Sequence, residues 1–333
     1  MTLDYATAAL VAQYRADPKA PGVPVEQLRQ ARRAAAARIP PERVTDTLIP
    51  VAGGTIPARV IRPDVPPRAV IVFYHAGGWV LGGLDECEAE AGALAQHTGC
   101  AVVCPAYRLA PEYRYPTAVQ DAWAALRWAA SNGAQITGEP AGPRRPLIVA
   151  GESAGGNLAA VVARWSAEQG GPDVLLQALI CPVTDSDTGS LSYTDPANQL
   201  LLDRDEMIWF WDQYVPDPAA RRHPDASPLQ AVFLTGVPPA VILTAEHDVL
   251  RDEGELYAMR LVQAGVPVEH RRFAGQIHGF LGRIGVLPGS ADGLRYIAEH
   301  AGRALAAPAA AFPAAASPPA TAPPATAVSG PAG

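Results

Sequence analysis

Apolar and polar positions alternate in blocks along the middle of the chain, short apolar runs being separated by longer stretches with helical spacing. The runs fall at residues 69–74, 101–105, 147–150, 175–181, 240–244 and 268–273. The first five are continuous and rich in aliphatic residues, as strands covered on both faces must be. Helical patterns occupy residues 86–97, 117–130, 156–168, 253–264 and 291–305. Strands alternating with helices predict a mainly parallel sheet flanked by helices, an α/β architecture. Ahead of it, residues 44–51 and 55–62 read as a β-hairpin around Ala52-Gly53-Gly54.

Three stretches depart from the rhythm. Residues 1–44 are helical and polar-faced; 25–38 is rich in Ala, Arg and Gln and ends at Ile39-Pro40-Pro41. With no strand to join, this segment should lie over something. Residues 186–235 contain no convincing strand but carry Trp209-Phe210-Trp211 and Tyr214. That cluster reads either as a core-packing insertion or as a roof over a site shared with the N-terminal segment. Residues 306–333 are almost all Ala, Pro, Thr, Ser and Gly, a disordered tail by composition.

Composition narrows the function. A 333-residue chain with 49% hydrophobic and 18% charged residues is a well-cored globular protein of one large or two small domains. Its net charge of −7 leaves no basic surplus for phosphates or an anionic membrane. Cys87, Cys100, Cys104 and Cys181 have no metal-ligand spacing and read as buried small hydrophobes in a reducing compartment. No signal-peptide pattern or run of membrane-spanning length is visible, so a cytoplasmic protein without a membrane anchor is expected.

The chemistry centres on Gly151-Glu152-Ser153-Ala154-Gly155-Gly156, between the run 147–150 and a helical stretch. A serine between glycines at a strand-to-helix turn is the context of a nucleophile elbow. The motif alone is weakly specific in a chain with 30 glycines. A nucleophilic serine needs a histidine base, and the base a carboxylate, in chain order serine, acid, histidine. Of His270, His278 and His300, only His278 falls in a loop past the last strand, where catalytic groups gather. Asp248, just beyond the run 240–244, suits the acid, with Asp185, Asp187 and Glu246 as rivals; Asp252 reads as a helix-end or loop-bracing carboxylate. The Gly77, Gly78 and Ala154 amides are the natural oxyanion donors, and His75 is expected to brace their loop. A phosphate-loop reading of 78–83 fails, because Leu84 and Asp85 stand where Lys and Ser or Thr are required.

His75-Ala76-Gly77-Gly78-Trp79, Tyr107-Arg108-Leu109-Ala110-Pro111-Glu112, the Ser153 motif, Asp248-Val249-Leu250-Arg251-Asp252 and Ile277-His278-Gly279-Phe280 follow one another in that order. On these motifs, covering about residues 40–305, the sequence resembles the hormone-sensitive-lipase-like esterases of the α/β-hydrolase fold. Ala76 stands where that family's HGGG has its first glycine, and Val249 where proline is usual. The resemblance implies a catalytic domain at 45–305 and a helical cap built from residues 1–44 and the insertion 186–235. It also implies a serine carboxylesterase for short- to medium-chain acyl esters that needs no cofactor or metal. Its partner would be a small-molecule ester, and a homodimer is compatible with the sequence. Trp79, Leu202, Met207, Phe210, Trp211, Val249 and Ile277 are the expected pocket residues. Two rival functions remain: an aryl-amide or formamide hydrolase using the same triad, and a non-catalytic receptor on the same fold.

Overall fold

The computed structural model describes residues 2–16, 23–36, 39–138 and 145–307. Residues 308–333 of the expected tail and residues 37–38 of the first long helical pattern lie outside them. Eight strands form one sheet in the order β1-β2-β4-β3-β5-β6-β7-β8. β1 (Val44–Val51) and β2 (Gly54–Ile61) are the expected antiparallel hairpin, and β2 also runs antiparallel to β4 (Ala101–Pro105). From β4 onward the sheet is parallel through β3 (Val70–Tyr74), β5 (Leu147–Glu152), β6 (Val174–Ile180), β7 (Ala240–His247) and β8 (Val268–Ile277). This is the mainly parallel, helix-flanked sheet that the alternation predicted, in the α/β-hydrolase arrangement that the resemblance implied.

Strand periodicity divides the interior into two cores. Val70, Val72 and Tyr74 of β3 enter one core, Ile71 and Phe73 the other. Among the helices are α1 (Tyr5–Ala16), α2 (Val25–Ala34), α3 (Leu84–Thr98), α4 (Thr117–Ser131), the short α5 (Gly133–Thr137), α6 (Ala154–Gln169), α7 (Leu191–Thr194), α8 (Arg204–Tyr214), α9 (Arg251–Gln263) and α10 (Pro288–Ala306). α4, α6 and α9 line the first core; α1, α3 and α10 line the second. Among the described residues no helix is long and apolar enough to cross a membrane.

Between β6 and β7 the chain makes the helical excursion anticipated for 186–235. Asp203 starts α8 through a capping box, its side chain accepting from the Glu206 N–H at 2.8 Å while Glu206 reaches back to the Asp203 N–H. Met207, Phe210, Trp211 and Tyr214 then bury one face of α8 in the first core. Asn157 of α6 donates to the Val183 and Ala226 carbonyls at 3.0 and 2.8 Å, stitching the excursion to the helix that follows Ser153.

Candidate active site

β5 ends at Glu152, α6 begins at Ala154, and Ser153 makes the turn with φ 58° and ψ −119°. A non-glycine residue in that region is strained and persists only where its surroundings hold it. Here they do. The Ser153 N–H donates to the Ile180 carbonyl at 2.9 Å, and its carbonyl accepts from Asn157 and Val183. A Cβ on Gly151 would run into the Gly155 carbonyl, and one on Gly155 into the Tyr74 and His75 carbonyls. The two glycines therefore let β5 turn sharply and let the turn sit against the end of β3.

Three side chains distant in sequence meet at the carboxyl ends of the strands. Ser153 Oγ lies 3.1 Å from His278 Nε2, and His278 Nδ1 lies 2.8 Å from Asp248 Oδ2. Asp248 directly follows β7, His278 directly follows β8, and those strands pair side by side, so the sheet register sets the acid beside the imidazole. The other Asp248 oxygen accepts from the Leu250 N–H at 2.9 Å. Donation from His278 Nδ1 to a buried carboxylate leaves Nε2 as the acceptor facing the serine hydroxyl. Burial alone would depress the His278 pKa; the Asp248 carboxylate outweighs it and holds the value above the ordinary histidine level.

The other candidate carboxylates have other partners. Asp185 accepts from Gln230 at 2.8 Å, Glu246 from the Gly275 N–H at 2.7 Å, and Asp252 from the Ser192 N–H at 2.7 Å. Asp187 accepts locally from the Gly189 N–H. His270 meets Thr244 at 3.0 Å on β7, and the ring of His300 packs on Tyr296.

The loop after β3 carries Gly77 and Gly78 at φ 126° and 59°, followed by Trp79 at φ 61°. Ala154 opens α6, and the first amides of a helix have no partner within it. His75 braces this loop, with Nδ1 2.8 Å from the Ala76 carbonyl and its ring stacked on Tyr107 at 4.2 Å. Burial lowers its pKa to about 4, so it stays neutral at physiological pH. Tyr107 also donates to the His75 carbonyl, and Arg108 grips the buried Asp121 through a charge-assisted fork.

The expected pocket residues separate into groups. Phe210 lies against Gly78, where any Cβ would strike its ring, and Leu202 and Met207 belong to the same core. Trp79 and Trp211 are fully buried, ring against ring at 4.8 Å, with Trp79 also stacked on Tyr214 at 4.3 Å. Val249 is fully buried, and its carbonyl accepts from Ser192. Ile277 enters the opposite core, with Phe273 and Phe280.

Two neighbours of the triad were not singled out by the sequence. Ligand atoms of Cys181, Asp248 and His278 lie within 4.8 Å of one another, so this thiol stands beside the acid. Burial and then the Asp248 charge push its pKa up, which keeps it a neutral thiol. Glu152, buried next to the serine, also has its pKa raised by burial, and one of its oxygens lacks a hydrogen-bond partner among the described residues. A carboxylate next to the serine was visible in the motif; the proximity of Cys181 had no local signal.

A family model described as the alpha/beta hydrolase fold matches residues 71–282. Over 295 residues the chain is 40% identical to carboxylesterase NlhH of Mycobacterium tuberculosis, covering 86% of this chain and 89% of that protein. The chain belongs to the hormone-sensitive-lipase-like esterases. This esterase is also 36% identical over 267 residues to an ethyl acetate hydrolase of Pseudomonas putida, covering 78% and 82% of the two chains. Its structure superposes on a hyperthermophilic esterase from the archaeon Pyrobaculum calidifontis with a TM-score of 0.83 at 36% identity, covering 92% of this chain and all of that one. The esterase is thus a carboxylic ester hydrolase.

Proposed function

We propose that this esterase hydrolyses short- to medium-chain acyl esters through a covalent acyl-enzyme on Ser153. His278 Nε2 takes the hydroxyl proton as Ser153 Oγ attacks the ester carbonyl, and Asp248 stabilises the imidazolium. The carbonyl oxygen, now anionic, receives hydrogen bonds from the Gly77, Gly78 and Ala154 amides, each worth roughly 10²–10³ in rate. Collapse of this tetrahedral species breaks the C–O bond, and His278 returns its proton to the departing alcohol. The same imidazole then deprotonates water, which attacks the acyl-enzyme and releases the acid with Ser153 restored. No step calls on a metal or cofactor.

The observation that carries this reading is the hydrogen-bonded chain from Ser153 Oγ through His278 to Asp248, at 3.1 and 2.8 Å. The ring of Phe210 against Gly78 and the relative named for ethyl acetate support a preference for small acyl groups. The N-terminal helices and the 186–235 excursion form the cap in this reading. A series of 4-nitrophenyl esters of graded acyl length tests it. Turnover should peak at short and medium acyl groups and fall for long ones; equal or better hydrolysis of long-chain acyl esters would overturn the chain-length assignment.

A further inference from the structure

Gly77, Gly78 and Trp79 are three successive residues in the left-handed region, and a bulky Trp79 does not stay there unaided. Within the loop, the Val80 and Leu81 N–H groups donate to the Gly77 carbonyl at 3.1 and 2.8 Å. One tie comes from a neighbouring loop, where the Ala110 N–H donates to the Trp79 carbonyl at 2.9 Å. Another comes from far away in sequence. Arg29 on α2 donates from Nε to the Val80 carbonyl and from Nη2 to the Ala110 carbonyl, both at 2.9 Å. The rest of the guanidinium forks onto Glu112, at 3.0 and 2.9 Å, and holds that carboxyl below its ordinary pKa. One planar group thus bridges the segment bearing the proposed oxyanion donors and the 107–112 segment that braces it.

The surroundings make this bridge more than a surface ion pair. The Arg29 side chain is 12% exposed although α2 has no fully buried residue, so the helix delivers a guanidinium where it delivers little apolar surface. We propose that Arg29 is a positioning residue for ester hydrolysis: its guanidinium, clamped on the Val80 and Ala110 carbonyls, holds the Gly77 and Gly78 amides at the angle the developing oxyanion requires. The proposal rests on the reading that those two amides receive the oxyanion. Because the amides act on charge that appears only in the transition state, their misalignment lowers kcat and leaves substrate binding largely alone.

The test is steady-state hydrolysis of a short-chain 4-nitrophenyl ester by full-length Arg29→Ala, Arg29→Lys and Arg32→Ala, with each melting temperature measured. Arg32 is the docking control, since it ties the same helix to Glu86 on α3 at 2.7 Å. Arg29→Ala should lose about 10- to 100-fold in kcat with KM nearly unchanged, less than the roughly 10²–10³ for deleting a donor outright. Added guanidinium, below denaturing concentration, should restore part of that loss. Arg29→Lys should also lose kcat without rescue, because an ammonium cannot span two carbonyls and a carboxylate as a planar fork does. Arg32→Ala should keep wild-type kcat. Unchanged kcat in the Arg29 variants, or equal losses in Arg29→Ala and Arg32→Ala without guanidinium rescue, would overturn the proposal. Failure of an organophosphonate to label Ser153 in the wild-type protein would instead sink the underlying reading of the site.

Discussion

The two sides of the site are built by different physics. On the floor, Ser153, Asp248 and His278 each follow a strand of one parallel sheet, and backbone pairing between β7 and β8 fixes the spacing of acid and base. In the proposed cap, the roof of the comparison, α2 and α8 have no strand to follow and are held largely by side chains, with the Tyr115 N–H donating to the Tyr214 carbonyl at 3.0 Å as a backbone tie. They differ from each other as well. α8 buries Met207, Phe210, Trp211 and Tyr214, whereas α2 rests the partly buried Val25 and Leu28 on the first core and adds the charged ties of Arg29 and Arg32. A floor held by backbone register should lose chemistry before stability when a side chain is changed. A roof held by side chains should lose stability first where the contact is apolar, and little where it is an exposed ion pair.

The largest expected effect is on the floor. Asp248→Asn should keep the fold, since the amide oxygen can still accept from Leu250, yet cost about 10³–10⁴-fold in kcat by favouring the wrong imidazole tautomer. The acid limb of kcat/KM carries a sign. Because Asp248 holds the His278 pKa up, the wild-type limb should lie above the ordinary histidine value, and losing the carboxylate should move it to lower pH. A pH–rate profile of the two proteins checks both statements, and a large drop in melting temperature would blur the contrast between floor and roof. Next comes the apolar roof. Trp211→Ala removes a fully buried indole packed on Trp79 and should cost about 3–5 kcal/mol by chemical denaturation. Smallest is the polar roof. Among the described residues Arg33 pairs with the exposed Glu26, so Arg33→Ala should cost no more than about 0.5 kcal/mol in the same titration.

The same division explains what could be read from the sequence. Apolar runs placed β3 to β7, because buried strands advertise themselves, whereas β8, polar and exposed over much of its first half, followed from the alternation of the predicted elements. The runs stopped short of the true ends: β5 continues through Gly151 and Glu152, β7 through Ala245–His247, and β8 through Ala274–Ile277. Those final residues are kept extended by the neighbouring strand and not by their own hydrophobicity, and they are where the site lies. The convergence of Ser153, Asp248 and His278 was legible because motif and chain order constrain where they fall. Neither the Arg29 clamp nor the thiol of Cys181 beside Asp248 was, since each depends on which distant carbonyls or carboxylates the fold brings near. The helical pattern at 25–38 illustrates a smaller limit. α2 ends at Ala34, before the Ile39-Pro40-Pro41 stop, because Ala and Arg favour a helix without supplying a buried face to extend it.

The central claim is that the Ser153 hydroxyl is made nucleophilic by His278, and covalent capture tests it most directly. A fluorophosphonate incubated with the wild-type esterase should add one phosphonyl group per chain, located at Ser153 by peptide mass spectrometry and absent from Ser153→Ala. In His278→Ala the same labelling should be slowed by orders of magnitude. Labelling at another residue, or equal labelling rates with and without His278, would contradict the account.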